Sequence, residues 1–383
     1  MDGSHLKVLY ISRGYSTHDR RFLGSFVRSG WSPVHLPLLE ERLDARPLPD
    51  GVRSVRWTAS LREPGSAADW RERRARLVEI VARTRPAIVI AGPVQSAAFL
   101  AALARTKPLV AVSWGTDLLV DADATAFSRF VTRFTLDNAD AMLGDCRAVR
   151  EAVHRHSSIS DDRIVTFPWG IDLDRFRPGG SSVAVRGQCG WSGNDSIFIS
   201  TRSWEPVYAI DVLVRAFALV IRRMPDARLL LLGDGSREGE IRVLLNDLSL
   251  DRFVHAPGRV THDRLPDYFR AADAYVSSAL SDGTSVSLLE AMGCGLPVVV
   301  ADSHGNREWV REGMNGALAR PGDAESLSKA MLRVLSNRDS ATHMGAANVA
   351  AARSRANWDE NFPKFVRLAE SLASGISERR CIY

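Results

Sequence analysis

The sequence predicts an α/β protein of two successive halves, each built on a parallel sheet. Three observations carry that prediction. Short apolar runs alternate with stretches of helical periodicity along nearly the whole chain. Such alternation marks βαβ units, whose crossovers require parallel strands. The rhythm stops over 168–196, where PWGIDLDRFRPGGSS is rich in Pro, Gly and Ser, and then restarts. Length agrees, since 383 residues at roughly 150 per domain allow two or three domains.

In the first half the strand candidates are KVLYIS (7–12), AIVIAG (87–92), LVAVSW (109–114), AMLG (141–144) and RIVTF (163–167). Helical patterns lie between them at 19–30, 70–85, 94–105, 124–138 and 145–157. Pro86 to Ala104 is uncharged and nearly long enough to span a bilayer. Gly92-Pro93 splits it into a β-branched half and an Ala/Leu-rich half, so a buried strand, a turn and a helix are expected. The second half offers IFIST (197–201), RLLLLG (228–233), FVHAPG (253–258), AYVSS (274–278), PVVVAD (297–302) and GALAR (316–320). A last helix, near Trp358–Leu372, follows the final unit and is expected to cross back to the first domain. The expected domains are 1–178 and 179–355, with 356–383 as the crossing helix.

Composition narrows the function. A hydrophobic fraction of 45% supports sizeable cores and excludes wholesale disorder. A net charge of +5 is too mild to imply nucleic acid as a partner. Only Lys7, Lys107, Lys329 and Lys364 are lysine among the 50 basic residues, leaving 46 arginines. Either a GC-rich genome or a set of anion-binding forks explains the excess; the first suffices for most of them. Cys146, Cys189, Cys294 and Cys381 form no C-x-x-C pair, so neither a zinc site nor a disulfide framework is expected, and a cytoplasmic setting fits. The run Leu6–Ser12 is too short for a signal peptide, and Cys381-Ile382-Tyr383 is one residue short of a prenylation box. No transmembrane segment is expected. WRERRARL (70–77) reads either as a solvated helix face or as a patch for peripheral membrane contact.

Open parallel sheets bind ligands beyond the C-terminal ends of their strands, and the motifs lie there. In YVSSALSDGTSVSLLEAMGCGLPVVVAD (275–302) a strand ends near Ser278, a loop carries Asp282-Gly283-Thr284-Ser285, and a helix opens at Ser285. Free N–H groups at that helix start suit a diphosphate. Asp282 and Glu290, eight positions apart, offer acceptors for vicinal hydroxyls. Alternatively, Ser285 and Ser287 only cap the helix and the acids are solvated.

This block resembles the donor-binding signature of glycosyltransferase family 4, retaining enzymes of the GT-B fold. Their pattern is Glu, seven residues, Glu, then Ala-Met-x-x-Gly-x-Pro-Val. Asp282 stands at the first acid and Glu290 at the second, with Ala291-Met292, Gly295 and Pro297-Val298 in register. The similarity extends to LLLLGDG (229–235), HAPGRV (255–260), AADAYVSS (271–278), HGNREWVREGMNG (304–316) and WGIDLDRFRP (169–178). It implies two facing Rossmann-like domains with an interdomain cleft, the first for acceptor and the second for nucleotide sugar. It also implies residue roles. Glu290 would hold the ribose hydroxyls and Asp282 the donor sugar. The N–H groups of Gly283, Thr284, Ser285 and Val286 would line sugar and diphosphate. Arg259 and Val260 would meet the base, and Arg202 would neutralise the diphosphate.

Departures from the pattern are equally specific. Tyr208 stands near the expected second cation, a lysine. The glycine-rich loop after the first strand is replaced by Ser12 to Arg21, in which His18 or Arg21 reaches ligand, or Thr17 or Asp19 caps a helix. The usual His-Gly-x-Asp is here Trp114-Gly115-Thr116-Asp117, which makes Trp114 and Asp117 acceptor-side candidates, with core packing and helix capping as their alternatives. Gly233-Asp234-Gly235 reads as a structural turn, while Asn306, Arg307 and Glu308 begin a helix after a strand.

The expected activity is retaining transfer from a nucleoside diphosphate sugar, UDP-linked (UDP-GlcNAc or a UDP-hexose), to a hydroxyl of a small molecule, natural product or surface glycan. No metal or other cofactor is expected. A nucleotide-sugar epimerase and a non-catalytic nucleotide-sugar-binding subunit are the alternatives. A dinucleotide oxidoreductase is disfavoured because no G-x-G-x-x-G follows the first strand.

Overall fold

The computed structural model describes residues 6–39, 44, 46–57, 64–179 and 183–380. Cys381-Ile382-Tyr383 and the linker residues Gly180–Ser182 lie outside them. The chain forms two compact units, Met1–Phe167 with Asp359–Tyr383, and Pro168–Trp358.

The first unit holds a seven-stranded sheet of order β3-β2-β1-β4-β5-β6-β7. Its strands are β1 (Lys7–Ser12), β2 (Ser32–Pro37), β3 (Arg53–Ser54), β4 (Ile88–Ala91), β5 (Leu109–Val112), β6 (Ala141–Gly144) and β7 (Ile164–Thr166). All pairs are parallel. The central strands are apolar throughout because helices cover both faces.

Strand β2 is not visible in the apolar pattern. Pro33, His35 and Pro37 interrupt it, and proline argues against an inner strand. Its hydrogen bonds explain the tolerance. Ser32 N–H donates to Leu6 O on the β1 side, whereas His35 O accepts from Val55 N–H on the β3 side. Pro33 and Pro37 alternate with Val34 and share the β3 side. Strand β3 pairs only with Val34 and His35, so neither proline faces a partner that needs its missing N–H.

The C-terminal helix, Trp358–Arg380, runs longer than its sequence pattern suggests. It packs within the first unit: Phe362 lies 6.0 Å from Phe22 and 5.8 Å from Phe26, and Trp31 Nε1 donates to Glu370 at 3.2 Å.

The second unit holds a six-stranded parallel sheet of order β10-β9-β8-β11-β12-β13. Its strands are β8 (Ser196–Ser200), β9 (Ala227–Leu232), β10 (Val254–Gly258), β11 (Ala274–Ser277), β12 (Val298–Ala301) and β13 (Gly316–Ala319). Residues 168–178, read from sequence as the end of the first domain, belong to this unit. Ile171 bridges Asn357, and Phe176 is fully buried at 6.0 Å from Phe269. Their apolar side chains join the second core, which is why a loop-like composition does not make this segment a free linker.

Candidate functional site

Strand order locates the site before any side chain is considered. From β8 the chain winds outward to β9 and β10, then returns to the other side of β8 as β11. The loops after β8 and β11 therefore part to opposite faces and leave a crevice at the carboxyl ends of these strands. The first loop carries Arg202; the second carries Asp282 to Ser285.

Arg202 is the hub. It is only 9% exposed. Its Nη1 donates to Ser285 Oγ at 2.6 Å and Ser287 Oγ at 3.1 Å, and its Nη2 lies 2.7 Å from Asp282 Oδ2. The guanidinium stacks 4.0 Å over the ring of Tyr208. Tyr275 OH is 2.8 Å from Ser287 Oγ and closes the network. Burial, the largest single influence, lowers the arginine pKa; the charge of Asp282 and its hydrogen bond, with Tyr208 and Tyr275, together outweigh it and push the pKa further up. Arg202 is thus a permanent cation fixed at the crevice. Its Nε is buried and makes no hydrogen bond among the described residues.

The expected lysine's charge is absent, and Tyr208 takes a different part. Tyr208 supplies a π face that holds the remaining cation but adds no charge.

Two glycines permit the crowding. A Cβ on Gly233, whose φ is +114°, would stand 2.5 Å from Arg202 O. A Cβ on Gly305 would stand 2.1 Å from Gly283 O and 2.6 Å from Asp282 O. The turn after β9 and the helix His304–Arg307 after β12 therefore press directly on the two site loops. Neighbouring residues hold their own strands: Asn306 Nδ2 donates to Ala301 O at 2.7 Å, and Arg307 pairs with Asp302 at 2.7 Å. Glu308 O accepts from Arg355 at 2.8 Å.

Ser285 caps the helix Val286–Gly293, accepting from Leu288 N–H at 3.4 Å. Its hydroxyl therefore serves both the cap and Arg202, while Asp282 and Glu290 are held by Arg202 and His262 rather than solvated. Thr284 is buried, and Val286 packs against the second core. Glu290, on the same helix, is 4% exposed and turns to a different partner. Its Oε1 lies 3.3 Å from His262 Nε2. His262 belongs to the loop after β10 and meets Phe176 edge-on at 5.3 Å. Arg259 and Val260 stand just before it. Arg259 reaches back to Asp234, with Nη2–Oδ1 at 2.7 Å, and Val260 packs against the core.

The second unit thus gathers Arg202, Asp282 and Ser285 into one network, and sets Glu290 with His262 and Arg259 with Asp234 as separate pairs. Sequence reasoning overlooked His262, Tyr275 and Ser287 as partners. A lone histidine in a polar loop carries no signal until the fold puts it against Glu290.

In the first unit, His18 sits in the first turn of the helix Thr17–Arg28, with its ring 5.6 Å from Trp114. Trp114 also meets Phe22 edge-on at 5.7 Å, so it has apolar support on one side. Asp19 is the capping-box residue: Ser16 N–H donates to its Oδ2 at 2.7 Å, and Tyr10 OH to its Oδ1 at 2.8 Å. Asp117 is committed to its own loop. It accepts from Ser113 Oγ at 2.6 Å and from the N–H groups of Val94, Trp114 and Leu118 at 3.0, 3.0 and 3.1 Å. Burial raises its pKa despite those donors. It shapes the loop that carries Trp114.

Among the described residues no three His, Cys, Asp or Glu side chains converge as a metal site. Nor is any described helix long and apolar enough to cross a membrane.

Comparison with known proteins adds two family matches, one in each half. The model described as "Glycosyltransferase Family 4" matches residues 31–175, and that described as "Glycosyl transferases group 1" matches residues 194–337. A D-inositol 3-phosphate glycosyltransferase of Nocardia farcinica is 33% identical over 56% of this chain and 49% of its own length. The chain spans about half the length of the first curated relatives it matches. A GDP-mannose-dependent alpha-(1-6)-phosphatidylinositol monomannoside mannosyltransferase of Mycolicibacterium smegmatis is 25% identical over 96% of both chains. Among solved structures, sucrose-phosphate synthase from Thermosynechococcus elongatus superposes with a TM-score of 0.81 at 18% identity, covering 97% of this chain and all of that one. Two Rossmann-like parallel-sheet domains are the architecture of the GT-B fold, and the superposition agrees with it.

Proposed function

Because the chain belongs to the glycosyltransferases of family 4, we propose that it moves a glycosyl group from a nucleoside diphosphate sugar to an acceptor hydroxyl, with retention at the anomeric carbon. The observation that carries the proposal is Arg202. A buried, permanent cation sits at the sheet's switch point, clasped by Asp282 and by the serines of a helix start. That is where a departing diphosphate needs compensation. Arg202 and the N–H groups of Gly283, Thr284, Ser285 and Val286 would take up its charge. Glu290 would hold the ribose diol, and Arg259 and Val260 would meet the base.

In the proposed step the acceptor oxygen forms its bond to the anomeric carbon on the face that the leaving group departs. The carbon–oxygen bond to the diphosphate breaks with its electron pair going to the phosphate. The acceptor proton passes to a phosphate oxygen. His18 and Trp114 are the acceptor-side candidates. Charge compensation by Arg202 and backbone dipoles needs no metal ion, so transfer should survive a chelator. The scattered cysteines and the donor class favour a cytoplasmic location.

Donor identity is the finer part of the proposal. The expected UDP sugars must be set against GDP-mannose, the donor in the name of the M. smegmatis relative. The test is a mass-detected transfer assay with UDP-glucose, UDP-GlcNAc and GDP-mannose. Acceptors are inositol phosphate, a phosphatidylinositol mannoside, sugars and hydroxylated natural products, each with and without chelator. Acceptor-dependent release of nucleoside diphosphate supports the proposal. Donor turnover without acceptor points to the epimerase, and donor binding without turnover to the non-catalytic subunit.

A further inference from the structure

Glu290 is a buried carboxylate whose side chain is met by a polar group from another loop. That neighbour is His262, with Nε2 at 3.3 Å from Oε1. An ionised carboxylate only accepts hydrogen bonds, so the proton of the imidazole belongs on Nε2. The ring is held from the side by Phe176, itself fully buried. Nδ1 is buried as well and has no hydrogen-bond partner among the described residues. A buried polar atom left without a partner is costly.

From this geometry we infer that His262 is a positioning residue for nucleoside recognition: it pins one oxygen of Glu290 so that the other faces the ribose diol. The inference rests on the ribose role proposed for Glu290. It extends that role to a residue of the loop after β10 that stands outside the Asp282–Glu290 motif. Phe176 sets the ring plane, Nε2–H sets the carboxylate, and the carboxylate reads the sugar.

The test is calorimetric binding of UDP and GDP and of their 2′,3′-dideoxy counterparts to the full chain. The variants are His262→Phe, His262→Gln and Glu290→Ala. The readout is the affinity ratio of ribo to dideoxy nucleotide within each variant, a quantity that a change in folded fraction does not move. In the wild type the diol should contribute about tenfold to hundredfold, as hydrogen bonds to a charged group do. His262→Phe keeps the contact with Phe176 and should reduce that ratio severalfold or more. His262→Gln, whose Nε2 can donate to the same carboxylate, should restore most of it. A His262→Phe ratio equal to that of the wild type, with Glu290→Ala collapsed to near one, overturns the inference while leaving the ribose role of Glu290 intact. A Glu290→Ala ratio equal to the wild type overturns the ribose role and the inference with it.

Discussion

Replacing Arg202 by alanine should damage two separable properties. The first is stability. Its partner Asp282 has a side chain only 14% exposed, and the variant leaves that carboxylate without its 2.7 Å counter-ion. Unit charges roughly 4 Å apart attract by about 4 kcal/mol at an effective dielectric near 20, and breaking a buried pair costs about 3–5 kcal/mol. In a unit of this size that lowers Tm by roughly 10 °C. The second is catalysis. Losing the one side-chain cation of the network should reduce kcat by about 10²–10³-fold, the usual effect of removing a preorganised charge stabiliser. The double variant Arg202→Ala/Asp282→Asn separates them. It removes the orphaned charge, so Tm should return most of the way, while kcat stays low. Thermal melts and the transfer assay read the two effects independently. Recovery of kcat in the double variant, or an Arg202→Ala kcat within tenfold of wild type, would refute the assignment of Arg202 to the leaving group.

Acid should unfold the first unit through His35. Burial holds its pKa down to about 4 from 6.5, against a hydrogen bond that the ring donates to the Gly14 backbone, which works the other way. Between those values the unfolded chain binds more protons than the folded one. Stability should therefore fall as pH drops from 6.5 toward 4, by about 3 kcal/mol, and be flat above. Chemical denaturation across that range checks it, with His35→Gln expected to flatten the curve. Gly305→Ala should push Gly283 and Asp282 out of place, since its Cβ would stand 2.1 Å from Gly283 O. A loss of about 1–3 kcal/mol in stability and a severalfold rise in donor KM are expected, read by melts and by initial rates. Asp117→Asn should lower Tm, because at least one of the three N–H donors it serves then faces an amide instead of a carboxylate. Donor KM should stay within twofold, and a larger change would give Asp117 a role beyond its loop.

The periodicity of short apolar runs and helices was enough to determine two parallel-sheet halves, because burial on both faces makes each strand apolar irrespective of its neighbours. The helix start at Ser285, with its acids at Asp282 and Glu290, was legible for the same reason: caps, glycines and first-turn residues are local choices. Strand β2 was not legible, because its prolines are tolerated only thanks to where the short β3 ends. The assignment of Phe176 and its segment to the second core depended on side chains far along the chain. The partners within the site were likewise decided only in three dimensions. Arg202 to Asp282 spans 80 positions and His262 to Glu290 spans 28, and each pair meets because strand order places their loops side by side. Sequence determines which groups stand at strand ends; the order of strands in the sheet decides which of those ends meet, and so which carboxylate answers the arginine and which answers the histidine.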